Sequence, residues 1–206
     1  MKPQFEIKDK NIINDILASA QYGTLALCED NIPYSMPVNF VNIEDIIYIH
    51  GSKNGRKADM ISQNSSCSFS VVEPYSMIQS YFSSSEGLAC PTTHFFRSVS
   101  IQGKIEVVSD YDEKVLALEL LMKKLQKEGG YKPMSDEVYE KMINATQVYK
   151  IVPSDIKGKV KLGQHLPQER FDMILEHLAQ RGSKIDKLTI EQMKAMRYAN
   201  ENSDNR

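Results

Sequence analysis

Apolar residues first recur at a helical spacing: Ile12, Ile13, Ile16 and Leu17 follow Asp9, a residue suited to an N-cap, and the pattern stops before Gly23. The period then shortens. Runs at 24–28, 34–41 and 46–50 read as strands, separated by Glu29-Asp30-Asn31 and by residues 42–45, brief polar breaks that suit hairpins. Pro33 and Pro37 remove backbone donors from the second run. That strand must therefore lie at an edge, contain a bulge, or run beside something other than a strand, such as a ligand. A short helix is expected at 55–63 and a strand at 68–73. Residues 74–94, with Ser83-Ser84-Ser85 and two prolines, read as a long loop, functional or mobile.

The longest strand is expected at 95–108, where Val99, Ile101, Gly103 and Ile105 alternate with polar residues. Asp112 opens a helix to about Glu128 with a buried stripe of Val115, Leu116, Leu118, Leu120, Leu121 and Leu125, and Gly129-Gly130 stops it. A shorter helix at 134–144 precedes two closing strands, 147–152 and 156–162, split by Pro153. Helical periodicity returns through Phe171, Ile174, Leu175 and Leu178 and again at 189–198, and a disordered tail is expected at 201–206. With no internal repeat, this order indicates an α+β fold or a barrel with helical covers, not a doubly wound sheet. The main domain is placed at 1–164 and a C-terminal helical extension at 165–200.

Charge narrows the partners. Lys plus Arg number 25 against 27 for Asp plus Glu, a net charge of −2, so no excess of positive charge exists to neutralise a nucleic-acid backbone. No apolar run approaches the ~20 residues of a membrane helix, and the first residues have no apolar core like that of a signal peptide. A cytoplasmic protein with neither a nucleic-acid nor a membrane partner is the simplest reading. Cys28, Cys67 and Cys90 lack metal-like spacing, so no metal site is expected; Cys28 and Cys67 read as small buried hydrophobes, and Cys90 as a loop thiol.

The most informative stretch runs from Tyr48-Ile49-His50-Gly51-Ser52 through Gly55-Arg56-Lys57 to Ile61, a strand, a polar glycine-containing loop and a helix. Such a helix start suits an anion, because free N–H groups carry partial positive charge and small residues let a phosphate come close. Arg56 and Lys57 in the first turn oppose the helix dipole unless an anionic ligand offsets them, or unless they simply point into solvent. A nucleotide P-loop fits less well, since three residues separate Gly51 from Gly55 and Ala58 follows Lys57.

Two blocks carry a resemblance. Pro33-Tyr34-Ser35-Met36-Pro37-Val38-Asn39-Phe40 with Tyr48-Ile49-His50 and Gly55-Arg56-Lys57 resembles the flavin-binding core of the nitroimidazole-resistance branch of the pyridoxamine-phosphate-oxidase-like family. Phe96-Arg97-Ser98-Val99-Ser100-Ile101-Gln102-Gly103-Lys104-Ile105, followed by Asp112-Glu113-Lys114, resembles a later strand and helix of the same family. The match spans roughly residues 10–160. It implies a split β-barrel holding flavin mononucleotide (FMN), with flavin adenine dinucleotide (FAD) as the other option, usually shared between two subunits of a homodimer.

By that resemblance Pro37, Val38 and Asn39 line the flavin ring through their backbone, followed by His50, Gly51 and Ser52; Arg56 and Lys57 hold the phosphate; and Ser98, with Arg97 and Val99, meets the ring system from the later strand. The implied function is flavin-dependent oxidoreduction, from a reduced small-molecule donor to a small planar acceptor such as a 5-nitroimidazole. A flavin-binding protein for storage or redox sensing is one alternative and a true pyridoxamine phosphate oxidase another. Against the latter, Leu162-Gly163-Gln164-His165-Leu166-Pro167 is only a loose echo of that enzyme's terminal Arg-Leu-x-Pro segment. His50 is the candidate catalytic residue, able to donate or accept a proton near neutral pH or merely to bond the flavin. His94, His165 and His177 have weaker claims, and Lys157, Lys159 and Lys161 read as a solvated strand face.

Overall fold

A computed structural model describes residues 2–198 in full and the helical backbone onward to Asp204. The tail expected at 201–206 lies outside the fully described residues. Among the described residues there are eight strands: β1 Glu6–Ile7, β2 Gly23–Glu29, β3 Ile32–Val38, β4 Phe40–Ile43, β5 Ile46–Gly51, β6 Ser66–Ile78, β7 Thr93–Val107 and β8 Gln147–Lys161. The helices are α1 Lys10–Ser19, α2 Arg56–Gln63, α3 Tyr111–Leu125, α4 Glu140–Ala145, α5 Gln168–Arg181 and α6 Lys184–Asp204. The chain forms two compact units, one from Lys8–Val71 and Val99–Lys157 and the other from the chain start to Ile7, Val72–Ser98 and the chain beyond Gly158.

The first unit is the split β-barrel. The strand order is β3-β2-β6-β7-β8-β5-β4, and its two outermost members, β3 and β4, follow one another in the chain with only Asn39 between them. One apolar run therefore pairs first with β2 and then with β5, which curls the sheet back on itself. Pro33 and Pro37 sit opposite Cys28 and Thr24 on β3, which pairs only with β2, so the edge position is the one that accommodates them. Asp30 and Asn31, with φ of 48° and 64°, make the two-residue loop between β2 and β3, a turn that matches strand twist.

Inside, Phe40 and Phe69 meet edge to face at 5.0 Å, among Leu25, Ile49 and Ile101, all essentially without exposure. A Cβ at Gly23 would lie 2.1 Å from the Phe69 ring, so only glycine leaves room for this aromatic plug. Outside, α3 packs Ala117 and Leu121 on Val41, Tyr48 and Val148. Asp110 caps it by accepting from Glu113 N at 2.7 Å, and the Glu113 carboxylate accepts from Tyr48 Oη at 2.8 Å and Lys150 Nζ at 3.0 Å.

Several expectations are corrected. The stripe of α3 is narrower than six residues, since Leu116 and Leu125 are 49% and 50% exposed: one sheet face admits only one helical row. Pro153 does not split β8, and Pro74 does not end β6. The β5 register on β8 ends at Ile151 and the β2 register on β6 ends at Ser70, so neither proline removes a donor from those ladders. The loop expected at 74–94 thereby shortens, being strand to Ile78 and a 3-10 turn at Ser80–Phe82. Cys28 is exposed, because it lies on the outward side of the β2–β3 edge.

The second unit fastens α5 and α6 to the far half of β6. Asp186, fully buried, accepts from Ser76 Oγ at 2.6 Å, from Ser183 Oγ at 2.6 Å and from Arg181 Nε at 2.9 Å. Ser183 and Asp186 form a reciprocal cap at the start of α6, which is why this helix begins at Lys184 and not near 189. These bonds, the Arg181 pair first, hold the Asp186 carboxyl well below the usual carboxylate range. Removing the anion leaves Arg181 Nε and Nη2 and three other donors without their acceptor, although Arg181 Nη1 keeps Met77 O and Gln79 Oε1, so Asp186→Ala should cost about 3 kcal/mol. Urea unfolding checks this, and a loss of only a few tenths would show that the extension is held by its apolar contacts alone.

Candidate functional site

Eight of the eleven residues expected at the site fall at one end of the barrel unit. Pro37 and Val38 close β3, Asn39 is the crossover, and His50 and Gly51 end β5. Because Phe40 pairs with Ile49, extending the β4–β5 register by one residue sets Asn39 opposite His50. Ser52 opens the loop into α2, whose first residues are Arg56 and Lys57.

That loop is braced from three sides. Ser52 Oγ accepts from Asn54 N at 3.1 Å, Lys53 Nζ donates to Asn144 O at 2.6 Å, and the buried Tyr149 donates through Oη to Ser52 O at 3.4 Å. Gly55 then takes φ 102° as N-cap, a backbone that favours glycine, and offers no side chain to the helix start. The first helical amide bond runs from Asp59 N to Gly55 O, so the amides ahead of it have no helical acceptor. A Cβ at Gly55 would meet nothing within 4 Å, so the approach is open.

Lys57 turns back over the end of β5. Its Nζ lies 3.5 Å from His50 O and 5.3 Å from the centroid of Tyr149, and a Cβ on Gly51 would come within 2.1 Å of it. Burial pushes its pKa down. Arg56 stacks 4.3 Å over Tyr34 of β3, which ties the start of α2 to the proline-bearing edge. Among the described residues neither cation has a carboxylate partner. Two cations at an uncapped helix start, one half-buried, fit the phosphate end of a ligand.

His50 is exposed beside this cradle, with its pKa lowered by the surrounding protein and then by Lys57. Val99 belongs to the same unit but is fully buried, leaving only its backbone to face a ligand. Arg97 and Ser98 belong to the second unit. There Arg97 is buried and donates from Nε to Glu73 at 2.6 Å, while Ser98 is half-buried. His94 bonds Tyr75 O, His165 packs on Phe5, and His177 stacks on Phe82, so each has a structural occupation. Lys159 lies 5.2 Å over Phe96 and Lys161 bonds Thr93, so the lysine row of β8 is not merely solvated. Sequence reasoning missed Tyr34 and Tyr149 as supports of the two cations. Tyr34 shares a strand face with Met36 and Val38 and could have been found by alternation; nothing in the local pattern signals Tyr149. Among the described residues no cluster of ligands fits a metal ion, and no helix is long and apolar enough to cross a membrane.

The family model described as pyridoxamine 5'-phosphate oxidase matches residues 9–160. Solved structures with similar folds include a candidate 5-nitroimidazole antibiotic resistance protein from Bacteroides thetaiotaomicron VPI-5482, 22% identical over 75% of this chain and 86% of its own, with a TM-score of 0.61. The flavocytochrome Anf3 from Azotobacter vinelandii is 22% identical over 77% of this chain and 70% of its own, at a TM-score of 0.64. The FAD and heme binding protein from Mycobacterium smegmatis is 20% identical over 76% and 73%, at 0.62. No curated protein sequence matches the chain.

The electrostatics give a titration test. The unfolded chain's histidine protonates near its ordinary value of about 6.5, whereas folded His50 resists protonation, so His50 costs stability as pH falls below that value. Its NMR titration midpoint should lie below the ordinary value and rise part of the way back in Lys57→Gln, which removes the second cause. A midpoint unmoved by that substitution would contradict the placement of the ammonium.

Proposed function

The chain belongs to the pyridoxamine 5'-phosphate oxidase family, and on that premise we propose that it binds a flavin, FMN in preference to FAD, and serves as a flavin-dependent oxidoreductase. Electrons pass from a reduced donor to a small planar acceptor, with a 5-nitroimidazole as one candidate. The observation that supports this most is the half-buried Lys57 ammonium, without a carboxylate, at the open start of α2. A phosphate there receives one charge from Lys57, another from Arg56 and the unbonded amides of the first turn. FMN ends in such a phosphate.

In this reading the flavin supplies the electron and hydride chemistry when bound. The protein's own groups hold, orient and exclude. Pro37, Val38 and Asn39 offer the ring a strand edge on which Pro37 carries no N–H, and Gly51, without a side chain, and Ser52, with a small one, leave room for close approach. Ser98, with Arg97 and Val99, is assigned to the ring system from β7, and two copies of the chain share the cofactor as a homodimer. His50, whose pKa is lowered by burial and then by Lys57, is the group that moves a proton at its ring nitrogen.

Purified protein should take up FMN at about one per chain. Lys57→Ala should weaken that binding about ten- to hundredfold, as expected for one charge-assisted bond in a partly enclosed site. With the flavin site saturated, His50→Ala should lower turnover about a hundredfold if it is the proton donor. Unchanged saturated turnover would reduce His50 to a contact residue, and absence of flavin binding would remove the function.

A further inference from the structure

A second polar cleft in the barrel unit takes no part in that reading. It encloses about 430 Å³ between the C-terminal ends of α1 and α3, lined by Ser19, Gln21, Tyr22, Asn39, Lys124 and Lys127 among others. Among the described residues the two lysines are the only charged ones lining it. A neighbouring cleft of about 460 Å³ shares both lysines and includes Glu44, but Glu44 pairs with neither.

Lys124 occupies an unusual place. Ala117 and Leu121 form the buried row of α3, and Lys124 continues that row at the next helical step. Its ammonium donates to Leu17 O at 2.8 Å and lies 3.6 Å from the centre of the Phe40 ring. The carbonyl explains one of its three N–H groups, as a cap on the end of α1. Burial, and then the neighbouring charge of Lys127, pull its pKa down to about 8. Among the described residues the two cations facing this cleft have no carboxylate partner; Gln21, Asn39 and Tyr22 also line it, while the Ser19 hydroxyl already donates to Ile16 O at 3.1 Å. An anion entering it would relieve the repulsion and find further donors.

Asn39 gives the cleft its meaning. It lines the cleft, ends the strand run assigned above to the flavin ring, and lies one position beyond the Phe40–Ile49 pair, where the extended register leads to His50. We propose that the small planar molecule exchanging electrons with the flavin carries a negative charge, which Lys124 and Lys127 receive in this cleft. This rests on the flavin reading and narrows it: the preferred reactant is a carboxylate-bearing aromatic over a neutral one of the same shape.

The test compares 4-nitrobenzoate with 4-nitrobenzamide, which share the ring and nitro group and differ in charge. Equilibrium dialysis against the full-chain protein, supplied with FMN at low ionic strength, reads binding without requiring turnover. The benzoate should bind at least about tenfold more tightly than the amide. That ratio should fall toward one in Lys124→Gln, in Lys127→Gln and in high salt. Lys127 is exposed, so its variant decides the question even if Lys124→Gln unfolds the barrel. Equal binding of the two probes to the wild type, or a preference that survives substitution of Lys127, overturns the proposal. Bound FMN is quantified in the same samples, so failure of the flavin reading appears separately as its absence.

Discussion

The ammonium of Lys57 fills the space that a side chain on residue 51 would need, half-buried at the end of β5 and without a carboxylate. A lone cation is costly to desolvate, and the surroundings are built to tolerate it. Gly51 gives way, the Tyr149 ring and the His50 carbonyl partly solvate the charge, and Arg56 is held beside it on Tyr34. The rest of the site follows from that constraint. Gly55 leaves the helix start uncapped, the braces on Ser52 and Lys53 keep the loop clear, and the His50 pKa is lowered partly because the ammonium is near.

The barrel makes this arrangement possible by an economy of strands. One run, residues 32–43, serves two neighbours and changes partners at Asn39. The same residue closes the barrel, lies one position beyond the Phe40–Ile49 pair and lines the lysine cleft. The candidate site thus gathers at the corner where the sheet turns, and the edge strand that would otherwise invite further pairing is blunted by Pro33 and Pro37. These prolines read as a flaw in a strand only while its second edge is assumed to need a partner.

Much of this was legible in the sequence because it is local. The Asp9 cap, the Asp30-Asn31 hairpin, the glycine-ended β5 and the short α2 all announce themselves through a few adjacent residues. What was not legible depends on residues far apart. Pro74 and Pro153 could not be seen to lie beyond the registers of β2 and β5, so two long strands looked shorter. The buried row of α3 was overcounted because one leucine-rich helix contains more apolar residues than a single sheet face covers. Tyr149 lies 92 positions from Lys57 in the chain, and no local pattern joins them. Lys124 was hidden in another way: its spacing marks a buried row, but its residue type suggests solvent.

The most direct measurement compares the affinities of FMN and riboflavin, which share the ring system and differ in the phosphate. If the α2 start is the phosphate seat, FMN should bind about a hundredfold more tightly, and the advantage should shrink to a few-fold when Arg56 and Lys57 are both replaced by methionine. Equal affinities in the wild type, or an advantage untouched by the double replacement, would place the phosphate elsewhere and contradict the role assigned to Lys57.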